Sequence, residues 1–334
     1  MQFNYVNHAQ NSLTLQRQKK SSTFNLYLSA MQEEVYHIPA LLPQCLDALD
    51  INPDGVYVDA TFGGGGHSKA IIEKLDYQGH LYSFDQDEDA VRRAFSDPRF
   101  TIVYSNFRYI SNFLRYYKVK SVDGVLADLG VSFHHFDDAD RGFSFRWNGS
   151  LDMRMNRKAT KNAAQFINSA SEEKIADTLY LYGEIRAARK IASAIVKESK
   201  RKPIETVEHF LEVVKPFVNP RQEKKELAMI FQAIRIEVNG ELDALRSFLE
   251  QTAKVIKPGG RLAIITYHSL EDRMVKNFMR TGNVEGKDTR DIFGRSEAPF
   301  KMLGAKPIVP DNEEIERNPR SRSAKLRVAV RNEN

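Results

Sequence analysis

The stretch that most limits what this chain can fold into is "YVDATFGGGGHSKAI", residues 57 to 71, where a short apolar run ends in four consecutive glycines and then turns helical. Glycine has no Cβ, so such a loop lets the backbone approach a ligand closely and take positive φ. A helix that starts straight after the loop adds unpaired amides at the same place. The run therefore predicts a buried strand, a ligand loop and a helix. The dinucleotide fingerprint G-x-G-x-x-G is met at Gly63 and Gly65, but its third position is Ser68.

The surrounding pattern predicts a doubly wound α/β sheet. Apolar runs at 55 to 61, 79 to 87, 100 to 106 and 122 to 130 read as strands, with helical patterns at 67 to 75 and 87 to 95 between them. Continuous apolar strands alternating with helices imply a mostly parallel, Rossmann-like sheet covered on both faces. After Gly130 the alternation stops. The segment 132 to 156 is polar, aromatic and rich in turn formers, and about 75 residues with helical periods only follow it, in the groups Ile175, Leu179, Tyr182; Ile185, Ala188, Ala192, Ile195; and Val207, Phe210, Leu211, Val214. The α/β pattern resumes with a helix through Leu242, Leu245 and Leu249, closed by Pro258, Gly259 and Gly260. It continues with a strand at 261 to 267 and a terminal strand through Leu326, Val328 and Val330. The expected organisation is one α/β domain, 31 to 134 and 237 to 334, with an all-helical domain inserted at 135 to 236. Residues 1 to 30 hold no Asp or Glu and no sustained period, which predicts a tail, or sequence upstream of a start at Met31.

Composition narrows the function classes. A single cysteine, Cys45, excludes a disulfide framework and a cysteine-built zinc site, and its apolar setting reads as core. No apolar run approaches the roughly 20 residues a membrane helix needs, so the chain is not expected to span a bilayer and a cytoplasmic location is expected. The formal charge of +5 is compatible with a polyanionic partner.

Two acids sharpen the ligand. Asp85 lies about 20 residues after the glycine loop, where a carboxylate can accept both ribose hydroxyls, and Asp128 ends the fourth strand, at the crevice side of an open α/β sheet. NAD and S-adenosylmethionine both satisfy this layout. The missing third glycine, with Asp59 and Asp128 as carboxylates for a cation, favours the sulfonium donor.

Seven blocks in order carry a resemblance: "TFGGGGHS" (61 to 68), "DLGVS" (128 to 132), "FDDADRGFSFR" (136 to 146), "LDMRMN" (151 to 156), "FQAIRIEVNGEL" (231 to 242), "GGRLAIITYHSLEDRMVKNF" (259 to 278) and "NPRSRSAKLRV" (318 to 328). Together they resemble the bacterial 16S ribosomal RNA (cytosine-N4)-methyltransferase family, from about Val35 to Arg331. The resemblance implies a class I S-adenosylmethionine-dependent methyltransferase fold with a helical insertion. The implied reaction is methylation of N4 of a cytosine in the decoding region of the small-subunit RNA, by a monomer or homodimer acting on 16S rRNA, expected within the small ribosomal subunit. Carried over by position, the donor contacts are Gly65, Gly66, His67, Asp85, Phe107 and Asp128, with His135 where the family has glutamine.

Asp128 is the expected catalytic acceptor for the amine, whose lone pair is delocalised into the base and must be drawn toward sp³ geometry. A base taken out of its stack needs aromatic platforms, for which Phe133, Phe143 and Trp147 are available. Phe143 and Phe145 read equally as a small core under a long loop. RNA contacts are expected from Arg141, Arg146 and Arg154. Between Arg186 and Lys202 there are seven basic residues against Glu198 alone, and Arg186, Arg189 and Lys190 lead that set. His134, His135 and His268 make no ligand pair at helical spacing, so no metal is expected. In "YHSLED" (267 to 272), Ser269 is expected to cap a helix, with Asp272 completing an S-x-x-D box. Two other classes stay open: an NAD-dependent oxidoreductase, and a non-catalytic RNA-binding protein of ribosome assembly.

Overall fold

The computed structural model describes residues 38–131, 138–288, 290 and 297–333. The chain divides between Pro39 and Ala40 into two units. Of the first only Ile38 and Pro39 are described, so the expected tail, 1 to 30, lies outside the described residues. The remaining described residues all belong to the second unit.

In chain order the elements are α1 (Leu42–Leu49), β1 (Val56–Asp59), α2 (Gly66–Ile72), β2 (His80–Asp85), α3 (Glu88–Arg92), β3 (Phe100–Tyr104), α4 (Ile110–Tyr116) and β4 (Val122–Asp128). A helical stretch comes next: α5 (Ala163–Ser169), α6 (Glu172–Gly183), α7 (Ala188–Arg201), α8 (Val207–Val214) and α9 (Glu223–Asn239). The chain then forms α10 (Glu241–Val255), β5 (Ile256–Thr266), α11 (Ser269–Thr281), β6 (Phe300–Met302), α12 (Asn312–Arg317) and β7 (Lys325–Arg331). The seven strands form one sheet in the order β3-β2-β1-β4-β5-β7-β6. The first five are parallel, and β7 runs antiparallel to β5 and β6. This is the mostly parallel, Rossmann-like sheet the sequence pattern predicts.

Alternation within the strands assigns the two faces. Val125, Ala127, Leu262 and Ile264 point into a cluster with Leu245, Phe248 and Leu249 of α10. Leu126, Ala263 and Ile265 point the other way, against Leu41, Cys45 and Leu49 around α1 and Ile71 and Ile72 of α2. Cys45 is fully buried there, as its apolar context predicts. With both faces covered, the strands have to be apolar at every position, which is why they read as runs.

The helical stretch packs a third core, from Phe143 and Leu151 through Ile175, Ile191 and Phe210 to Ile234. The boundary expected between 236 and 237 falls inside α9, which continues to Asn239. Gly240, at φ 57°, ends α9 and starts α10 in one residue. Helical periodicity does not lapse at 236, and the backbone first reverses at Gly240.

Two sheet features escape the sequence. β5 begins at Ile256 rather than 261, because Lys257 to Gly260 continue the strand through a register shift against β4. β6 is three residues long, too short to show a period. In β7 the charged residue is not on a wet face: Arg327 is buried and bonds both oxygens of Asp272, at 2.6 and 3.1 Å. No helix among the described residues is long and apolar enough to cross a membrane.

Candidate functional site

The strand order reverses between β1 and β4, and at such a switch point the loops at the carboxyl ends diverge and leave a crevice. The glycine loop leaves β1 there. Gly63 and Gly65 both take positive φ, 54° and 77°. A Cβ on Gly65 would lie 2.8 Å from the Phe62 ring, so position 65 needs glycine for space as well as for φ. Beneath the loop, Asp59 is buried and accepts from Thr61 N at 3.0 Å and from Ser68 Oγ at 2.6 Å. Ser68 is also buried and lies 2.8 Å from Ser83 Oγ on β2. The residue that breaks the three-glycine fingerprint thus bonds the helix to β1 and β2. Asp59, expected to face a cation, has both oxygens committed to holding the loop, and burial pushes its carboxyl up.

The other two acids stand at the rim. Asp85, the last residue of β2, accepts from Gly63 N and Asp87 N, each at 2.8 Å, and burial pushes its pKa up to about 6. Asp128, the last residue of β4, has its backbone N–H on Thr61 Oγ1 at 2.6 Å. Its Oδ1 accepts from the Tyr267 hydroxyl at 2.8 Å, and its Oδ2 lies 3.8 Å from His67 Nδ1. Burial lifts the Asp128 pKa to about 6, while His67 and Tyr267 pull against that rise. His67 is buried, with Nε2 3.0 Å from the Ala40 carbonyl. Phe107, half-buried in a 3-10 turn, packs edge-on against Phe248 at 5.1 Å. The loop glycines, His67, Asp85 and Asp128 therefore meet around the carboxyl ends of β1, β2 and β4. Such a set can accept two hydroxyls at Asp85 and face a cationic or amine group at Asp128, beside bare backbone.

The sequence model of the MraW methylase family matches residues 34–332. The chain belongs to the MraW methylase family. The ribosomal RNA small subunit methyltransferase H of Phocaeicola vulgatus is 60% identical over 297 residues, 89% of this chain and 98% of its own length. The protein of that name from Bacteroides fragilis is 59% identical over 298 residues, again 89% and 98%. Among solved structures, an rRNA methylase from Streptococcus thermophilus aligns over 89% of this chain and 99% of its own, at 11% identity and a TM-score of 0.38. Membership in a methylase family sets aside the oxidoreductase reading.

For this MraW methylase the expected RNA contacts divide sharply. Arg141 is a correction: its side chain is 2% exposed, it donates to the carbonyls of Arg154 and Met155 at 2.9 and 3.1 Å, and it lies 3.6 Å from Asp87. Arg154 is half-buried and bonds Asp152 at 2.9 and 2.7 Å and the Ala159 carbonyl at 2.7 Å, so it ties its own loop together. Spacing along a loop does not show which arginine turns inward. Phe143 is buried, and Phe145 packs on Phe231 with ring centroids 5.6 Å apart, as a small core rather than a platform. Arg146 and Trp147 are exposed. Arg186, Arg189 and Lys190 are exposed with the other four basic residues of the 186 to 202 run, while the apolar face of α7 is buried. Phe133 and His135 lie outside the described residues.

The segment after β5 supplies residues that sequence reasoning missed. Tyr267 reaches Asp128, and a Cβ on Gly130 would lie 3.1 Å from its ring, so "DLG" makes room for it. His268, not Ser269, caps α11: its side chain accepts from Glu271 N, and Asp272 goes to Arg327 instead of a capping box. Histidine is an uncommon cap, so the serine was the natural choice. Buried Glu271 accepts from Tyr267 N at 3.1 Å, and His268 Nε2 lies 3.0 Å from its other oxygen. Glu241, His268 and Glu271 bring donor atoms within 4.8 Å of one another, a set able to hold a metal ion. Arg235 already lies on both Glu241 oxygens, at 2.9 Å each, and supplies positive charge there.

Proposed function

We propose that this chain transfers a methyl group from S-adenosylmethionine to N4 of a cytosine in the decoding region of 16S rRNA, presented by the small ribosomal subunit in the cytoplasm. The observation that carries the proposal is the pairing of Asp85 with Gly63 and of Asp128 with Tyr267 at the switch point of a methylase sheet. Membership in the family and the names of the Phocaeicola and Bacteroides relatives support ribosomal RNA as substrate. The seven sequence blocks from "TFGGGGHS" to "NPRSRSAKLRV", by their resemblance to the cytosine-N4 family, support cytosine N4.

The residues fit the donor. It carries no phosphate, and the site offers no third glycine; it carries a ribose, and Asp85 presents a half-buried carboxylate with lone pairs left beside its two backbone bonds. Phe107 would border the adenine, Gly65, Gly66 and His67 the amino-acid moiety, and Asp128 the sulfonium side. When bound, the donor supplies an electrophilic methyl group. Asp128 accepts hydrogen bonds from the cytosine amine and so concentrates its lone pair on nitrogen. The loop and the two carboxylates hold the reactants in line, which removes most of the entropic cost of meeting. Residues 135 to 236 would recognise the RNA, through the basic face of α7 on phosphates and through Arg146 and Trp147 nearer the base.

The test is to incubate the protein with methyl-labelled S-adenosylmethionine and small subunits whose decoding-region cytosine is unmodified, then digest and chromatograph the nucleosides. Label in N4-methylcytidine is expected. Tight donor binding with no transfer to subunits or naked RNA would leave the non-catalytic assembly role.

A further inference from the structure

Asp128 is held from two sides by residues on different elements. Tyr267, just past β5, donates to Oδ1 at 2.8 Å and fixes the plane of the carboxylate. His67, on α2, presents Nδ1 3.8 Å from Oδ2. The Ala40 carbonyl has only lone pairs to offer, so the 3.0 Å contact to His67 Nε2 requires the hydrogen on Nε2. In the neutral ring that leaves the Nδ1 lone pair facing Asp128. Two lone pairs cannot face each other comfortably, and the pair relaxes when it gains one proton.

We propose that His67 and Tyr267 make Asp128 the acceptor of the proton that leaves the target amine, Tyr267 by orienting the carboxylate and His67 by drawing the proton on. The inference rests on the methyltransferase reading. In that reaction an N4–carbon bond forms as the carbon–sulfur bond breaks, and sulfur keeps the electron pair and becomes a neutral thioether. The nitrogen, now bearing the methyl group and both hydrogens, is cationic and must lose one proton. Asp128 takes it, His67 Nδ1 at 3.8 Å helps to hold it, and the partly exposed Asp128 carboxyl returns it to water once the product has left. Both holders act through Asp128 and are positioning residues.

The other groups facing Asp128 are Asp59 on β1, Glu271 on α11 and Cys45 on α1. Asp59 and Glu271 favour the protonated acid, whereas the Tyr267 hydroxyl favours the carboxylate, as does His67 only once it is the imidazolium. Losing Tyr267 therefore makes Asp128 harder to ionise.

The test compares wild type with Tyr267→Phe and His67→Gln, the latter keeping a donor for the Ala40 carbonyl but unable to take a proton. Wild type should show an acid limb of kcat/KM near pH 6, and Tyr267→Phe should move it to higher pH. His67→Gln should lose on the order of a hundredfold in kcat, the scale of one proton-transfer group. An unmoved limb in folded Tyr267→Phe, or a kcat close to wild type in folded His67→Gln, overturns the proposal. Nitrogen-15 NMR of the free protein gives a second, independent measure: the neutral His67 ring should be the Nε2–H tautomer that donates to the Ala40 carbonyl. An Nδ1–H tautomer overturns it whatever the RNA result. A wild type that transfers nothing overturns the reaction and the proton role together, and the ring spectra separate that from failure of the clamp.

Discussion

Replacing Arg141 by Met tests whether the arginine in "ADRGF" supports the fold or touches RNA. Met keeps most of the volume and removes the guanidinium. Two charge-assisted hydrogen bonds to the carbonyls of Arg154 and Met155 disappear, at roughly 1.5–3 kcal/mol each. Asp87, with its side chain 6% exposed, loses a cation at 3.6 Å, while Asp89, at 3.5 Å but 36% exposed, is rehydrated and counts for little. The apolar replacement recovers part of the loss by burying a thioether against Phe143, whose ring lies 5.9 Å from the guanidinium carbon. Removing one partner of a buried pair leaves about 3–5 kcal/mol of destabilisation. Urea unfolding monitored by far-ultraviolet circular dichroism measures it. A midpoint within error of wild type, together with weakened RNA binding, would refute the strut and restore Arg141 as an RNA contact.

The same geometry sets three further outcomes. Asp85 and Asp128 have folded pKa values near 6, above the ordinary value near 4, so the folded state holds more protons between those limits and stability falls as pH rises from about 4 to 6. The loss is at most about 3 kcal/mol per residue, and less in practice because both carboxylates are partly exposed, and calorimetry of the double Asn variant should show the slope flattened. Gly65→Ala should lower donor affinity at least tenfold by calorimetric titration, because a Cβ there meets the Phe62 ring at positive φ; an unchanged affinity would mean the loop re-forms without cost. Arg189→Ala with Lys190→Ala should weaken RNA binding and reduce the salt slope by about 2, leaving donor affinity intact; an unchanged slope removes α7 from the interface.

How much of the site was legible depended on whether a residue acts through backbone or through position in space. Gly63, Gly65, Asp85 and Asp128 lie at strand ends in a short stretch whose period is plain, and the order of β1 to β4 puts them together without further information. Tyr267 lies 139 residues beyond Asp128, and nothing in "YHSLED" says that its hydroxyl returns to the first half of the sheet. The cap was misassigned for a related reason: Ser269 is the better cap by propensity, but Glu271 is buried under Tyr267 and draws His268 into that place.

The sequence by itself determined the sheet, its helical insertion and the glycine loop, because buried strands, helix faces and positive-φ turns each leave a local signature of period or residue type. Only the tertiary structure decided which charges face water and which face each other. Arg141 and Arg154 are as basic in the sequence as Arg146, and Asp59 is as acidic as Asp128. Their roles separate only when folding buries Arg141 and Asp59 among fixed partners and leaves Asp128 at the rim of the crevice, where a buried charge must be paired and an accessible one is free to act.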